Sequence, residues 1–126
     1  MVEAFSDLGQ PMTVTIYHNP RCSKSRQTLA LLEKRGIKPE IVEYLKTPPS
    51  ADELKRILKK LGLGPRDILR DGEPPYAELG ARGAKLDDEA LIALMAKNPI
   101  LIERPIVVNG NKAALGRPPE TVLKIL

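Results

Sequence analysis

The chain contains one histidine and one cysteine, His18 and Cys22, within the stretch His18-Asn19-Pro20-Arg21-Cys22-Ser23-Lys24-Ser25-Arg26. A thiol becomes a nucleophile as its thiolate, so its surroundings decide what it can do. Arg21, Lys24 and Arg26 place positive charge nearby. If a helix starts here, its unpaired N–H groups and its dipole favour the anion further. Each effect predicts a depressed pKa for Cys22, a thiolate that attacks electrophiles, and amides able to hold an oxyanion. A lone cysteine is commonly a small buried hydrophobe. Here Arg21 and Ser23 flank it on a polar loop, which favours the reactive reading.

The neighbouring segments supply the positioning that this chemistry needs. Val14 and Ile16 alternate within 13–17 and predict a strand leading into the loop. Leu29 and Leu32 lie one turn apart in a helical pattern from about 23 to 35, and Gly36 is placed to stop it. A second strand is expected over 40–44, making a β-α-β unit with parallel strands and a right-handed crossover. Lys46 to Pro49 reads as a turn.

A helical stretch follows. Ser50 with Glu53 forms a capping-box signature, and Leu54, Ile57, Leu58 and Leu61 make one apolar stripe closed by Gly62. Lys55, Arg56, Lys59 and Lys60 occupy the other faces, as on a solvated helix. Pro65 opens a short segment reaching Arg70. Residues 71–85 read mostly as loop, with a turn of helix over 76–79. Asp87 is a suitable N-cap for a helix carrying Leu91, Leu94 and Met95 and ending before Pro99. The last third returns to strand at 105–108. Asn109-Gly110-Asn111 is a hairpin signal, 113–115 is the return, and Pro118-Pro119 opens a final helix through Val122, Leu123 and Leu126. The order β-α-β, helices, β-β-α matches an α/β class: a thioredoxin-like mixed β-sheet flanked by helices, with an all-helical insertion at about 50–98.

The bulk properties fit one domain. The chain has 126 residues, 42% of them hydrophobic, with 20 basic against 16 acidic side chains and a net charge of +4. Aromatic residues make up only 3%, too few for base-stacking nucleic-acid surfaces. The mild basic bias suits a small anionic substrate. One cysteine permits no intramolecular disulfide, and a reducing cytoplasm is the expected setting. Residues 1–12 read as a flexible N-terminal extension rather than a signal peptide, and the domain proper as 13–126. No apolar run reaches the ~20 residues of a membrane span.

Arg70, Arg104 and Arg117 all stand at element ends, where loops carry function. In a thioredoxin-like arrangement the segments before the third strand and after the fourth lie near the cysteine loop. Guanidiniums meeting there form a cage for a tetrahedral oxyanion, because their forked donors match its oxygens. The same fold places a cis-proline opposite the cysteine, which nominates Pro105. The other prolines read as ordinary turn and cap residues.

These motifs together resemble the glutaredoxin-linked arsenate reductase family, within a superfamily that also holds the Spx-type regulators. The resemblance runs through His18-Asn19-Pro20-x-Cys22-x-x-Ser25-Arg26, Tyr44-Leu45-x-x-Pro48-Pro49-Ser50, Ile68-Leu69-Arg70, Glu73-x-x-Tyr76-x-Glu78-Leu79-Gly80, the run from Pro99 to Val108 and Arg117-Pro118. It implies that Cys22 is the nucleophile and that His18 helps keep it ionised. Ser25 joins them in the catalytic loop, Arg70, Arg104 and Arg117 bind the oxyanion, and Asn19 and Arg26 belong to the active-site loop. The implied reaction is reduction of arsenate to arsenite, with glutathione as co-substrate, glutaredoxin as partner and no bound cofactor. Ser25 stands where a dithiol oxidoreductase has its second cysteine, so the reducing thiol must come from outside. Ser23-Lys24 replaces the Gly-Thr pair of the best-known enzymes of the family and adds a charge beside the nucleophile.

Other readings compete. Spx-type transcription regulators share this fold and contact RNA polymerase, but the arginine set favours an enzyme. A thiol reductase of this fold acting on another substrate is a further alternative. The Cys-x5-Arg loop of cysteine phosphatases is excluded, because Thr28 stands at the arginine position. One cysteine and one histidine cannot furnish a closed zinc site, and no glycine-rich nucleotide loop occurs.

Overall fold

The structure, a computed structural model, describes residues 13–126. The extension expected over 1–12 lies outside the described residues. Two compact units divide the chain, one running to Val42 and resuming over Arg104–Leu126, the other comprising Glu43–Glu103.

The first unit contains a four-stranded sheet. Strand β1 (Val14–Tyr17) leads through the cysteine loop into helix α1 (Ser23–Lys34), and β2 (Glu40–Val42) follows. Strands β3 (Ile106–Asn109) and β4 (Lys112–Leu115) form the hairpin, and a 3-10 helix over Pro119–Ile125 closes the chain. The strand order is β2-β1-β3-β4. β1 runs parallel to β2 and antiparallel to β3, and β3 runs antiparallel to β4. This is the thioredoxin-like mixed sheet that the element order implied.

Register explains the core. Ile16 pairs with Val107, and Val107 with Ala114, so these three side chains form one row on the same face. Val14 joins them from the same face of β1, and Leu32 of α1 and Val122 of the closing 3-10 helix complete the buried cluster. Gly36 ends α1 with φ of 77°, a left-handed conformation that an L side chain resists.

Several boundaries differ from the sequence expectation. β2 stops at Val42 rather than residue 44, because Glu43 starts a turn whose carbonyl accepts from the amides of Lys46 and Thr47 at 2.9 Å. The C-terminal helix is 3-10 rather than α. Arg104–Pro105 is cis, as expected, but so is Arg117–Pro118, which corrects the reading of Pro118 as an ordinary cap proline.

The second unit is helical: α2 (Ala51–Leu61), a 3-10 turn at Pro65–Ile68, α3 (Pro74–Ala77), α4 (Ala81–Ala84), α5 (Asp88–Lys97) and a 3-10 turn at Pro99–Leu101. Ser50 caps α2 by accepting from the Glu53 amide at 3.1 Å, and Asp87 caps α5 through the Ala90 amide at 2.8 Å. α5 packs against α2 and both 3-10 turns. Its buried face is Leu91, Ile92 and Met95, with Leu94 only partly covered.

Residues 71–85 are more ordered than their Gly and Pro content suggested. The Arg66 guanidinium donates to the Tyr76 hydroxyl at 3.0 Å and to the carbonyls of Gly83 at 3.0 Å and Leu86 at 2.9 Å. This clasp draws α3 and α4 together. The segment from Pro65 becomes extended at Leu69, which bridges Ile102 antiparallel instead of continuing as helix.

Candidate active site

The loop between β1 and α1 is built almost wholly from its own hydrogen bonds. The His18 amide donates to Val42 O at 2.8 Å, extending the β1–β2 pairing into the loop. Asn19 then supplies three contacts. Its carbonyl accepts from the Cys22 amide at 3.0 Å, its side-chain oxygen from the Arg21 amide at 3.0 Å, and its amide donates to Ser25 Oγ at 3.0 Å. Arg26 holds the loop from the helix side, its guanidinium donating to Pro20 O at 3.0 Å. Asn19 and Arg26 therefore shape the loop.

Cys22 is the N-cap residue of α1, with extended backbone and no side-chain hydrogen bond capping the helix. Its side chain is buried, with 9% of the residue exposed. Burial pushes the thiol up. Against it act the Ser25 amide, the Arg104 guanidinium and the Lys24 amide, which together bring the thiol below its ordinary value. Cys22 thus stands at the position of a helix-capping residue, where the first-turn amides and Arg104 favour its ionised form.

The source of the positive field corrects the sequence reading. Arg104 provides the cation that lowers Cys22, and Lys24 contributes through its backbone amide. Arg26 is committed to Pro20, and Arg21 is exposed. The amides expected to hold an oxyanion likewise serve the sulfur: those of Lys24 and Ser25 stabilise Cys22, and that of Cys22 is taken by Asn19.

Two of the arginines are brought together by the hairpin. Ile106 pairs with Leu115, and the Gly116 amide donates to Pro105 O at 2.9 Å, so the pairing continues beyond the strands. One step further, the Arg117 guanidinium donates to Arg104 O at 3.1 Å. Tyr17 pairs with Ile106, which sends the Arg104-Pro105 segment out beside the loop that follows Tyr17. Arg70 belongs to the second unit. There it is ion-paired with Glu73 at 3.0 Å and donates to Ile100 O at 3.3 Å.

His18 and Ser25 form a buried pair within the loop and the first turn of α1. His18 is 6% exposed and Ser25 fully buried, and His18 Nδ1 lies 2.6 Å from Ser25 Oγ. Through this contact His18 holds the residue whose amide stabilises Cys22. Sequence reasoning named Glu73 in a motif but did not pair it with Arg70, although a spacing of three is the signal for an ion pair. It also missed Arg66, for which no local signal exists, since its acceptors are carbonyls more than fifteen residues away.

Among the described residues no group of three His, Cys, Asp or Glu side chains could hold a metal ion. No helix among them is long and apolar enough to cross a membrane.

A sequence model of the ArsC family matches residues 17–125, from the end of β1 to the closing 3-10 helix. The chain belongs to the ArsC family. It is 54% identical over 114 residues to the uncharacterized protein YfgD of Escherichia coli K12, covering 90% of this chain and 96% of that one. It is 51% identical over 114 residues to an arsenate reductase of Neisseria meningitidis serogroup A, covering 90% and 97%. The solved structure of arsenate reductase from Vibrio cholerae superposes with a TM-score of 0.86 at 56% identity, covering 91% of this chain and 98% of that one. The ArsC match includes the whole Cys22 loop and both arginines of the hairpin.

Proposed function

We propose that this ArsC-family protein is an arsenate reductase in which Cys22 is the nucleophile. One observation carries the reading: the single cysteine sulfur of the chain sits at the N-cap of α1, where the Ser25 and Lys24 amides and the Arg104 guanidinium lower its pKa. The names of the relatives, at about half identity over nine-tenths of the chain, support the substrate.

The Cys22 thiolate attacks arsenic, and one arsenate oxygen, protonated, leaves as water. Glutathione then attacks the arsenic adduct, and a second arsenic-bound oxygen, protonated, leaves as water. A glutaredoxin thiolate attacks the glutathione sulfur to form a mixed disulfide, and the electron pair of the broken arsenic–sulfur bond stays on arsenic, reducing As(V) to As(III). Water then hydrolyses the bond between Cys22 and As(III), releasing arsenite and the Cys22 thiol. External thiols are required because the chain has no second cysteine. This dependence fits a reducing cytoplasm. Arg104 and Arg117 supply guanidiniums for the oxyanion, and the family resemblance assigns Arg70 to the same task.

The test is a coupled assay with glutathione, glutaredoxin, glutathione reductase and NADPH. Arsenate-dependent NADPH oxidation is expected from the wild type and none from Cys22→Ser. Absence of arsenate-dependent oxidation by the wild type across several glutaredoxins contradicts the reading. Capture of RNA polymerase with no reductase activity would favour a regulator instead.

A further inference from the structure

Among the described residues three polar side chains are buried to less than a tenth of their exposure: His18, Ser25 and Thr28. The first two belong to the Cys22 loop. Thr28 is completely buried and takes no part in the chemistry above. Its hydroxyl donates to the Lys24 carbonyl at 2.8 Å, one turn back along α1. That bond ties Thr28 to the turn whose amides face the sulfur. On its other side Thr28 meets the hairpin. A Cβ built on Gly116 would lie 3.1 Å from Thr28 Cγ2, closer still to Thr28 Oγ1, and 2.7 Å from Pro105 Cγ. Real Cβ contacts are not that short, so Thr28 and Pro105 both lie directly over the bare Gly116 backbone, with no room for even a methyl group between them.

Gly116 precedes Arg117, and Pro105 follows Arg104. Thr28 is therefore the α1 side chain that rests on the hairpin where both arginines emerge, while its hydroxyl grips the helix turn that serves Cys22.

We propose that Thr28 is a positioning residue that sets the distance between the Cys22 end of α1 and the Arg104/Arg117 end of the hairpin. The role depends on atom type. Oxygen is smaller than methyl and fits against the Gly116 backbone, whereas a valine methyl in its place wedges α1 away. The proposal rests on the reading of Cys22 as a thiolate nucleophile.

The experiment compares Thr28→Ser and Thr28→Val with the wild type, reading the pH dependence of Cys22 alkylation by iodoacetamide and the kcat and KM of the coupled assay. Val122→Ala, a core change away from the loop, serves as a control for stability alone. Thr28→Ser keeps the oxygen and is expected to match the wild type within about threefold in kcat/KM, the scale of a small packing change. Thr28→Val is expected to raise the alkylation midpoint by about half a pH unit or more, as Arg104 moves away. It is also expected to lower kcat/KM roughly tenfold, as small misplacements of reacting groups do. Val122→Ala lowers Tm but leaves the midpoint in place. A depressed wild-type midpoint that Thr28→Val leaves unchanged, with unchanged kinetics, overturns the role of Thr28 alone. A wild-type midpoint at the free-thiol value overturns both the thiolate reading and this inference.

Discussion

His18 Nδ1 lies 2.6 Å from Ser25 Oγ, and the same oxygen accepts the Asn19 amide at 3.0 Å. A hydroxyl offers one proton and two lone pairs, so Ser25 is committed on both sides. With the imidazole as its Nε2–H tautomer, Ser25 donates to Nδ1; a protonated ring donates instead. In either state the contact anchors the third residue of α1, whose amide stabilises the Cys22 thiolate. The pair thus links the only histidine to the only cysteine through the backbone of a serine.

Ser25→Ala tests that link. The substitution leaves His18 Nδ1 and the Asn19 amide without their buried partner, at a cost of about 1–3 kcal/mol. Urea unfolding checks the loss, and a value below about 0.5 kcal/mol contradicts it, since that is the scale of an ordinary surface change. The Ser25 amide itself survives. Reductase activity should therefore fall through loosening of the loop rather than vanish as it does in Cys22→Ser.

Cys22 makes stability depend on pH. Its pKa is lower in the folded chain than in the unfolded one, so between the two values the unfolded state binds more protons. The thiolate's contribution is present in full above the ordinary thiol value, about 8.5, and is lost as pH falls through the folded pKa. The Tm difference between wild type and Cys22→Ala, followed by calorimetry, should become more favourable to the wild type as pH rises through that window. A difference that is flat with pH removes the basis for a held thiolate. Alkylation kinetics read the same ionisation directly.

Arg104 and Arg117 should separate in their effects. Arg104 stabilises the thiolate itself, so Arg104→Leu raises the alkylation midpoint as well as lowering kcat/KM for arsenate. Arg104→Lys keeps the charge but not the fork, and should recover more of the midpoint than of the activity. Arg117 is exposed and donates to the Arg104 carbonyl. Arg117→Leu should raise KM for arsenate by roughly tenfold, the scale of one charge-assisted hydrogen bond, and shift the midpoint less than Arg104→Leu does. Equal midpoint shifts in the two variants would contradict this division.

Much of the site was legible from pattern. The alternation at Val14 and Ile16, the helix spacing of Leu29 and Leu32, and Gly36 placed Cys22 at a helix mouth. The hairpin turn around Gly110 even pairs Arg104 with Arg117, since residues equidistant from the turn face each other. The source of the field on the sulfur was legible only through the fold, which brings the segment before the third strand near the cysteine loop. Sequence proximity nominated Arg21, Lys24 and Arg26, whereas Arg104 acts from more than eighty residues away. Proximity along a chain says little once strand register brings a distant segment alongside. The closing 3-10 helix and the turn at Glu43 were also beyond propensity, because tertiary packing chooses between α and 3-10 and decides where a short strand stops.

The segment 71–85 gives the last prediction. Gly and Pro content marks it as loop, yet Arg66 gathers it by bonds to Tyr76, Gly83 and Leu86. Gly83 is buried, and a Cβ there would lie 2.8 Å from Tyr76 Cζ and 2.9 Å from Cε1, so the hydroxyl end of the ring lies against the glycine. Arg66→Ala removes the clasp at a cost of about 1–2 kcal/mol, because the acceptors are partly solvated and water replaces some of the lost bonds. Gly83→Ala forces the ring out and weakens the same clasp from its other end. The expected signature is local: faster hydrogen exchange at the amides of Leu79, Gly83 and Leu86, whose carbonyl partners lie within the segment, while the amides of α2 and α5 keep their protection. Tyr76→Phe deletes one bond but keeps the ring in place, and should raise exchange less than Arg66→Ala. Uniform loss of protection across the helical unit, rather than within 71–86, would show that Arg66 supports the whole unit and not this segment.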